Sequence, residues 1–342
     1  MLKHFHITDK KEVEMNLMNR LRITTLLALS VMIVVVGIGT VFAADKFPER
    51  PITLIVHASA GGGSDLFART FAAGIEKEKL LPRPVIVENK PGGSGAIAFS
   101  YVAGKKKDPY FMVTATPTIL TTPIMGLAPI SYKDFTPIGN LAFDEFMLMV
   151  GPKSKYNSLK ELIADAKANP KKIPLGGTML GGPDSMCANL LEKAAGIQFN
   201  YVAFPGGGDV TAAIVGGHVD ASIENPGPAL ELKKAGKVKV LCVFSSKRLD
   251  VAPDVPTAKE QGIDLLFVQN RGICAPAGIP EDARKVLEKA VADFAKSASF
   301  KKYCKDNALS EGYMNGEEFG KFLEEWNGKY AVILKEMNLI KK

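Results

Sequence analysis

Four times along this 342-residue chain, a short apolar run rich in β-branched residues ends in a glycine-rich turn that opens a stretch of helical period. The turns are Ala60-Gly61-Gly62-Gly63-Ser64-Asp65, Pro91-Gly92-Gly93-Ser94-Gly95, Gly176-Gly177-Thr178-Met179-Leu180-Gly181-Gly182-Pro183-Asp184 and Pro205-Gly206-Gly207-Gly208-Asp209. Strands that repeatedly feed helices build mostly parallel sheets covered by crossover helices, so the expected class is α/β. The alternation places strands over 52–56, 84–88, 110–114, 146–150, 172–176, 200–202, 221–223 and 237–245. Helices fall over 65–79, 94–103, 158–168, 184–195, 209–216, 257–261, 281–297 and 316–337. The elements form two series with no long linker, joined by extended segments near 143–150 and 265–275 that would serve as a hinge. Single cores stop growing near ~250 residues, so two lobes are expected: 44–145 with 270–342, and 146–269.

Glycine tolerates positive φ and lets another molecule approach the backbone closely. At a helix start the first amides lack intrahelical acceptors, and the peptide dipoles add partial positive charge. Such turns bind anions without any arginine. Ser64 and Asp65 are N-cap candidates, with Asp65 assigned to holding its own loop. Turns from the two series that face one another at the strands' C-terminal ends would form the crevice where open α/β sheets bind ligands, suited to a di- or polycarboxylate. A nucleotide fits less well, since no turn continues into Gly-Lys-Ser/Thr or carries Gly-x-Gly-x-x-Gly with a suitably placed acid.

Enzymatic chemistry is poorly supplied. His4 and His6 precede the folded part, leaving His57 and His218. His57 ends the first strand, where it either lines the pocket or is held as a strand-end histidine, while His218 reads as a turn residue. Ser64 is near His57 in sequence, but no Gly-x-Ser-x-Gly elbow is present, so a hydrolase using this pair stands only as the alternative. No cluster has metal-ligand spacing, and neither metal nor cofactor is expected.

Arg20 and Arg22 precede an uncharged stretch from Ile23 to Ala44, and Val41-Phe42-Ala43 supplies a small-residue cleavage pattern. Residues 1–43 therefore read as a cleavable export signal, cut after Ala43, with Met15 or Met18 as alternative starts and a retained membrane anchor as the rival. Gly37, Gly39 and Thr40 interrupt the run and favour cleavage, which places the chain in the periplasm. The formal charge of +7 falls to +5 without this segment, and lysines alternate with acids on helix faces, so no nucleic-acid partner is expected. Four cysteines match no metal motif; three lie in apolar segments and are expected as isolated buried thiols.

Several stretches together are family-specific: Arg50-Pro51-Ile52-Thr53-Leu54-Ile55-Val56, the first turn, and Val85-Ile86-Val87-Glu88-Asn89-Lys90-Pro91-Gly92-Gly93-Ser94-Gly95. Gly216-Gly217-His218-Val219-Asp220, Ser246-Lys247-Arg248, Ala252-Pro253-Asp254-Val255-Pro256-Thr257 and Gly272-Ile273-Cys274-Ala275-Pro276-Ala277-Gly278 follow in order. In order and spacing they closely resemble the Bug-type receptors of tripartite tricarboxylate transporters. The resemblance implies a type II periplasmic-binding-protein fold, two α/β lobes around a cleft joined by two hinge strands, and no catalysis. It implies a ligand carboxylate held by amides of Gly61, Gly62, Gly63 and Ser64 and by the facing loop of Thr178, Gly181, Gly182 and Pro183. It also implies a small organic carboxylate ligand, transient docking on a two-subunit membrane permease, and a monomer; a sensor of the same fold is the alternative role. His57 and Ala58 stand where relatives usually have proline and an aromatic residue, Asn270 where they have tryptophan, and Gly182 where serine is common, which should make the pocket wider and more polar. Glu224 and Asn225 stand near the ligand's far end, and Thr116 and Gly207 complete the candidate wall. Arg271 offers a guanidinium for a second carboxylate or forms a surface ion pair on the hinge.

Overall fold

A computed structural model describes residues 47–340, together with Met15, Leu17 and Met18. The chain divides into units Met1–Phe47 and Pro48–Lys342, and the second is described below. The export signal expected over residues 1–43 lies outside the described residues, apart from those three positions. No helix among the described residues is long and apolar enough to cross a membrane.

The first sheet grows from β1 (Ile52–Val56), whose residues are buried except the half-buried Thr53. β2 (Val85–Asn89) and β3 (Phe111–Ala115) flank it, both parallel to it. β10 (Val268–Pro276) lies antiparallel between β3 and β4 (Phe135–Glu145), and β11 (Ser310–Asn315) closes the edge, giving the order β11-β4-β10-β3-β1-β2. The second sheet has the order β7-β6-β8-β5-β9, formed by Asn200–Phe204, Pro174–Thr178, Ala221–Glu224, Met147–Val150 and Lys239–Val243. In it β6 is parallel to β7 and β8, while β5 runs antiparallel to β8 and β9.

The sheets are therefore mixed where mostly parallel ones are expected. The cause is the crossing between them: β4 passes into β5 through Phe146 alone, and β10 brings the chain back beside β4. A strand that crosses without a helix arrives antiparallel. At the crossing the Phe146 and Phe267 rings lie 5.4 Å apart, and the Phe244 amide donates to the Phe146 carbonyl at 2.9 Å. The expected extended junctions thus correspond to the ends of paired strands.

The crossover helices are α1 (Gly63–Lys77), α2 (Ala96–Ala103) and α3 (Thr118–Ile124) in the first half, and α4 (Leu159–Ala168), α5 (Pro183–Ala195), α6 (Gly207–Val215) and α7 (Pro226–Lys234) in the second. The tail holds α8 (Glu281–Lys296), α9 (Ala298–Asn307) and α10 (Gly316–Glu336). The sequence reading does not include α3, α7, α9 or β11, and the expected helix over 257–261 is a 3-10 turn, Lys259–Gln261. α3 carries three threonines and Pro123, a composition that disfavours helix in isolation. α7 opens on Pro226-Gly227-Pro228, which reads as a turn, although proline is compatible with a helix's first turn. Between α8 and α9 the chain kinks at Ser297, whose hydroxyl caps α9 by accepting from the Phe300 amide.

All four cysteines are unpaired and buried, and burial pushes the Cys242 and Cys304 thiols up to about 12. In the first half's core, Phe294 of α8 stands edge-on to Phe71 of α1 at 5.2 Å and packs on Phe300 of α9 at the same distance. Truncating such a ring removes both its transfer free energy and its packing. Phe294→Ala is expected to lower unfolding free energy by about 3–5 kcal/mol in urea titration.

Candidate functional site

β1 delivers His57 and the first glycine turn to the start of α1. Asp65 accepts from the Gly61 amide, from Arg69 Nε and from Asn89 Nδ2, each at 3.0 Å, so it clamps its own loop as expected. Gly61, at φ +84°, is thereby shaped and its amide occupied. The next amides, of Gly62, Gly63 and Ser64, have no acceptor among the described residues and form the positive end of a 15-residue helix.

The third turn behaves differently. The Thr178 amide donates to Asp184 Oδ2 at 2.6 Å, the Gly181 amide to Ser185 Oγ at 2.8 Å and the Gly182 amide to the Met179 carbonyl at 2.8 Å. These three amides serve their own loop. The fourth turn faces the first so closely that a Cβ built on Gly207 would lie 2.9 Å from Gly62 Cα and 2.7 Å from Glu224 Oε2. Backbone meets backbone here because neither residue has a side chain. The second turn sits nearby, where Ser94 Oγ donates to the Leu180 carbonyl at 3.1 Å across the two halves.

Between the first, third and fourth turns lies a cavity of about 30 Å³. Of the expected site residues, His57, Ala58, Gly62, Gly63, Ser64, Thr116, Thr178, Pro183, Gly207, Glu224 and Asn225 line it. Gly61, Gly181, Gly182 and Arg271 do not. Thr118, Met179, Asp184 and Gln269 also line it; Met179 and Asp184 belong to the third turn but are not among the candidate site residues, and Thr118 and Gln269 have no sequence signal. Asp184 was legible in principle, since it follows its glycine turn as Asp65 follows the first. Asn270, expected as a lost aromatic wall, is buried on β10 and donates to the Ala115 carbonyl at 2.8 Å. Two larger hollows, of about 710 and 750 Å³, include no residue of the four glycine turns.

Arg271 departs from both sequence readings. It is 1% exposed, so it is neither a surface ion pair nor a cation on the cavity wall. Its Nε donates to Asp144 Oδ2 at 3.0 Å, Nη1 to Ser64 Oγ at 2.9 Å and Nη2 to Asn225 Oδ1 at 2.8 Å. Behind the cavity it joins β10 and β4 to the start of α1 and to the residue that caps α7.

His57 is 1% exposed and stacks on Phe99 at 5.2 Å. Its Nδ1 is 3.1 Å from Thr114 Oγ1 and its Nε2 3.2 Å from Thr116 Oγ1. Burial, reinforced by the Arg271 charge, lowers its pKa to about 3, so the ring is neutral near pH 7. Both ring nitrogens are engaged by threonines and Ser64 Oγ is engaged by Arg271, so the pair forms no nucleophile–base couple. Glu224, 2% exposed, is pushed up to about 8 by burial and the nearby Asp184 charge. Asp184 rises to about 6, again mainly by burial. No group of three or more His, Cys, Asp or Glu side chains is placed to hold a metal among the described residues.

Residues 67–339 match the model of the tripartite tricarboxylate transporter family receptor. The chain belongs to that family. It is 32% identical over 306 residues to the UPF0065 protein in gbd 5'region of Cupriavidus necator, covering 87% of this chain and 90% of that one. The periplasmic binding protein BugD superposes with a TM-score of 0.81 at 26% identity, over 86% of this chain and all of BugD. An R. palustris protein solved with adipate gives a TM-score of 0.79 at 26% identity, over 84% of this chain and 97% of that one. Tripartite tricarboxylate transporter receptors are periplasmic solute-binding proteins rather than enzymes, and this one has their two-lobed α/β fold.

Two outcomes follow for this receptor. Removing the guanidinium leaves Asp144 buried without its partner, so Arg271→Met is expected to lower unfolding free energy by about 3–5 kcal/mol, read by denaturant titration. Because the folded-state pKa of Glu224 lies above its ordinary 4.5, the stability linked to its proton is full below pH 4.5 and is lost as pH rises through 8. His57 contributes in the opposite sense, losing stability as pH falls from 6.5 toward 3. The two contributions offset each other between pH 4.5 and 6.5, so melting temperature should fall between pH 6.5 and pH 8, and Glu224→Gln should flatten that fall.

Proposed function

We propose that this chain is a periplasmic receptor that captures a small carboxylate-bearing ligand between its two lobes and passes it to a two-subunit permease of the tripartite tricarboxylate type. The observation that carries this reading is the set of open amides at Gly62, Gly63 and Ser64, set at a helix's positive end and facing Gly207 of the opposite lobe. The Ser64 hydroxyl accepts from Arg271 and keeps its own hydrogen for a ligand oxygen. Lobe one comprises 44–145 and 270–342, and lobe two 146–269, with the crossings at Phe146 and Phe267 as the bending points. Residues 1–43 direct export and are cleaved after Ala43, and the exported protein is a monomer.

The shut cavity of about 30 Å³ has room for a water molecule or two. A bound acid therefore sits in a less closed arrangement, in which it bridges the lobes and selects that arrangement from the open ensemble. The carboxylate ligand of the R. palustris relative supports the ligand class.

The test is a thermal-shift screen of the exported chain against dicarboxylates, including adipate and malate, and amino acids. A ligand at a hundred times its dissociation constant should add about 2.7 kcal/mol of stability and leave chemically unchanged. Gly62→Ala should weaken that ligand at least tenfold, because the added methyl would lie 2.8 Å from Gly207 Cα and hold the two lobes apart. Absence of any stabilising carboxylate, or turnover of one, would overturn the proposal.

A further inference from the structure

The cavity has unlike walls. On the α1 side stand hydrogen-bond donors: the amides of Gly62, Gly63 and Ser64 and the Ser64 hydroxyl. Opposite them are two acids, Asp184 from the first turn of α5 and Glu224 from the end of β8, only 4% and 2% exposed. Glu224 Oε1 accepts from the Asn225 amide at 2.9 Å, whereas Oε2, buried within the wall, has no partner. Asp184 holds the Thr178 amide through Oδ2 and has no cationic partner.

No lysine or arginine lines the cavity. His57 is neutral, with both nitrogens engaged by threonines. Arg271 is committed to Asp144, Asn225 and Ser64. A buried carboxylate with no counter-charge in contact is costly, and for Glu224 the neighbouring Asp184 charge adds to the cost of burial. A second ligand carboxylate entering here would meet the charge of Asp184, with the Glu224 proton as the one donor these two acids offer at pH 7. An ammonium brings three donors, no acceptor and a positive charge, which is what this wall lacks.

We propose that Asp184 and Glu224 form a subsite for a cation, so that the receptor selects ligands with a carboxylate at one end and an ammonium at the other. The proposal rests on the receptor reading above and adds the chemistry of the ligand's far end. The carboxylate docks on the amides of α1, and the ammonium bridges Asp184 and Glu224 Oε2 from the other lobe. Each lobe contributes one half of the recognition, so neither grips the ligand fully until both are engaged.

The experiment is calorimetric titration at pH 7 with two matched series. One comprises the dicarboxylates from malonate to adipate; the other replaces one carboxylate of each with ammonium, from glycine to 5-aminopentanoate. At least one amino acid is expected to bind tenfold or more tightly than its dicarboxylate counterpart, with protons released on binding. Glu224→Gln and Asp184→Asn should each reduce that preference to within about twofold. Tighter binding of the dicarboxylates, proton uptake in place of release, or a preference that survives in both variants would overturn the subsite while leaving the receptor reading intact. Silence of both series in the unaltered protein overturns the receptor reading, and this proposal with it.

Discussion

The buried guanidinium of Arg271 ties together the parts on which the cleft depends. It sits on a strand that crosses between the two sheets, and its donors reach the neighbouring crossing strand through Asp144, the first helix through Ser64, and the opposite half through Asn225. Desolvating a guanidinium and a carboxylate is costly, and further hydrogen bonds are needed to offset it. Here Nε, Nη1 and Nη2 all find acceptors, two of which are cavity residues. The cation thus acts on the cleft through a hydroxyl and an amide rather than by direct touch. Its field also helps keep His57 uncharged.

The strand-to-helix framework was legible because its determinants are local. β1 lies where its β-branched run is, α1 begins two residues before the expected start, and α5 begins one residue early. The glycine turns were legible for the same reason, since a helix start next to glycine announces open amides in any context. Which amides stay open was not: Gly61, Thr178 and Gly181 lose theirs to Asp65, Asp184 and Ser185, side chains that reach back from the helix each turn precedes. The fate of Arg271 was hidden by distance, because its partner Asp144 is 127 residues away along the chain. β11 depends on pairing with β4 alone at a sheet edge, so its own residues, which include Glu311, Gly312 and Asn315, carry little strand signal.

The strands form two sheets, and the strands that link them change each sheet's character. A chain that must leave one sheet and return to it at the same place does so by two strands lying side by side. β4 and β10 pair from Val268 opposite Glu145 to Pro276 opposite Phe135, so the two passages are hydrogen-bonded to each other rather than independent. The proposed bending at Phe146 is thereby coupled to that at Phe267.

The meeting of Gly62 with Gly207 sets a mechanical stop. With bare backbone on both sides, the halves can shut until almost no space remains, and every occupant of useful size must hold them short of that limit. In the proposed receptor the angle between the halves then works as a caliper: a longer guest leaves the jaws wider, and the outer surface carries guest length to the permease proposed to dock on it.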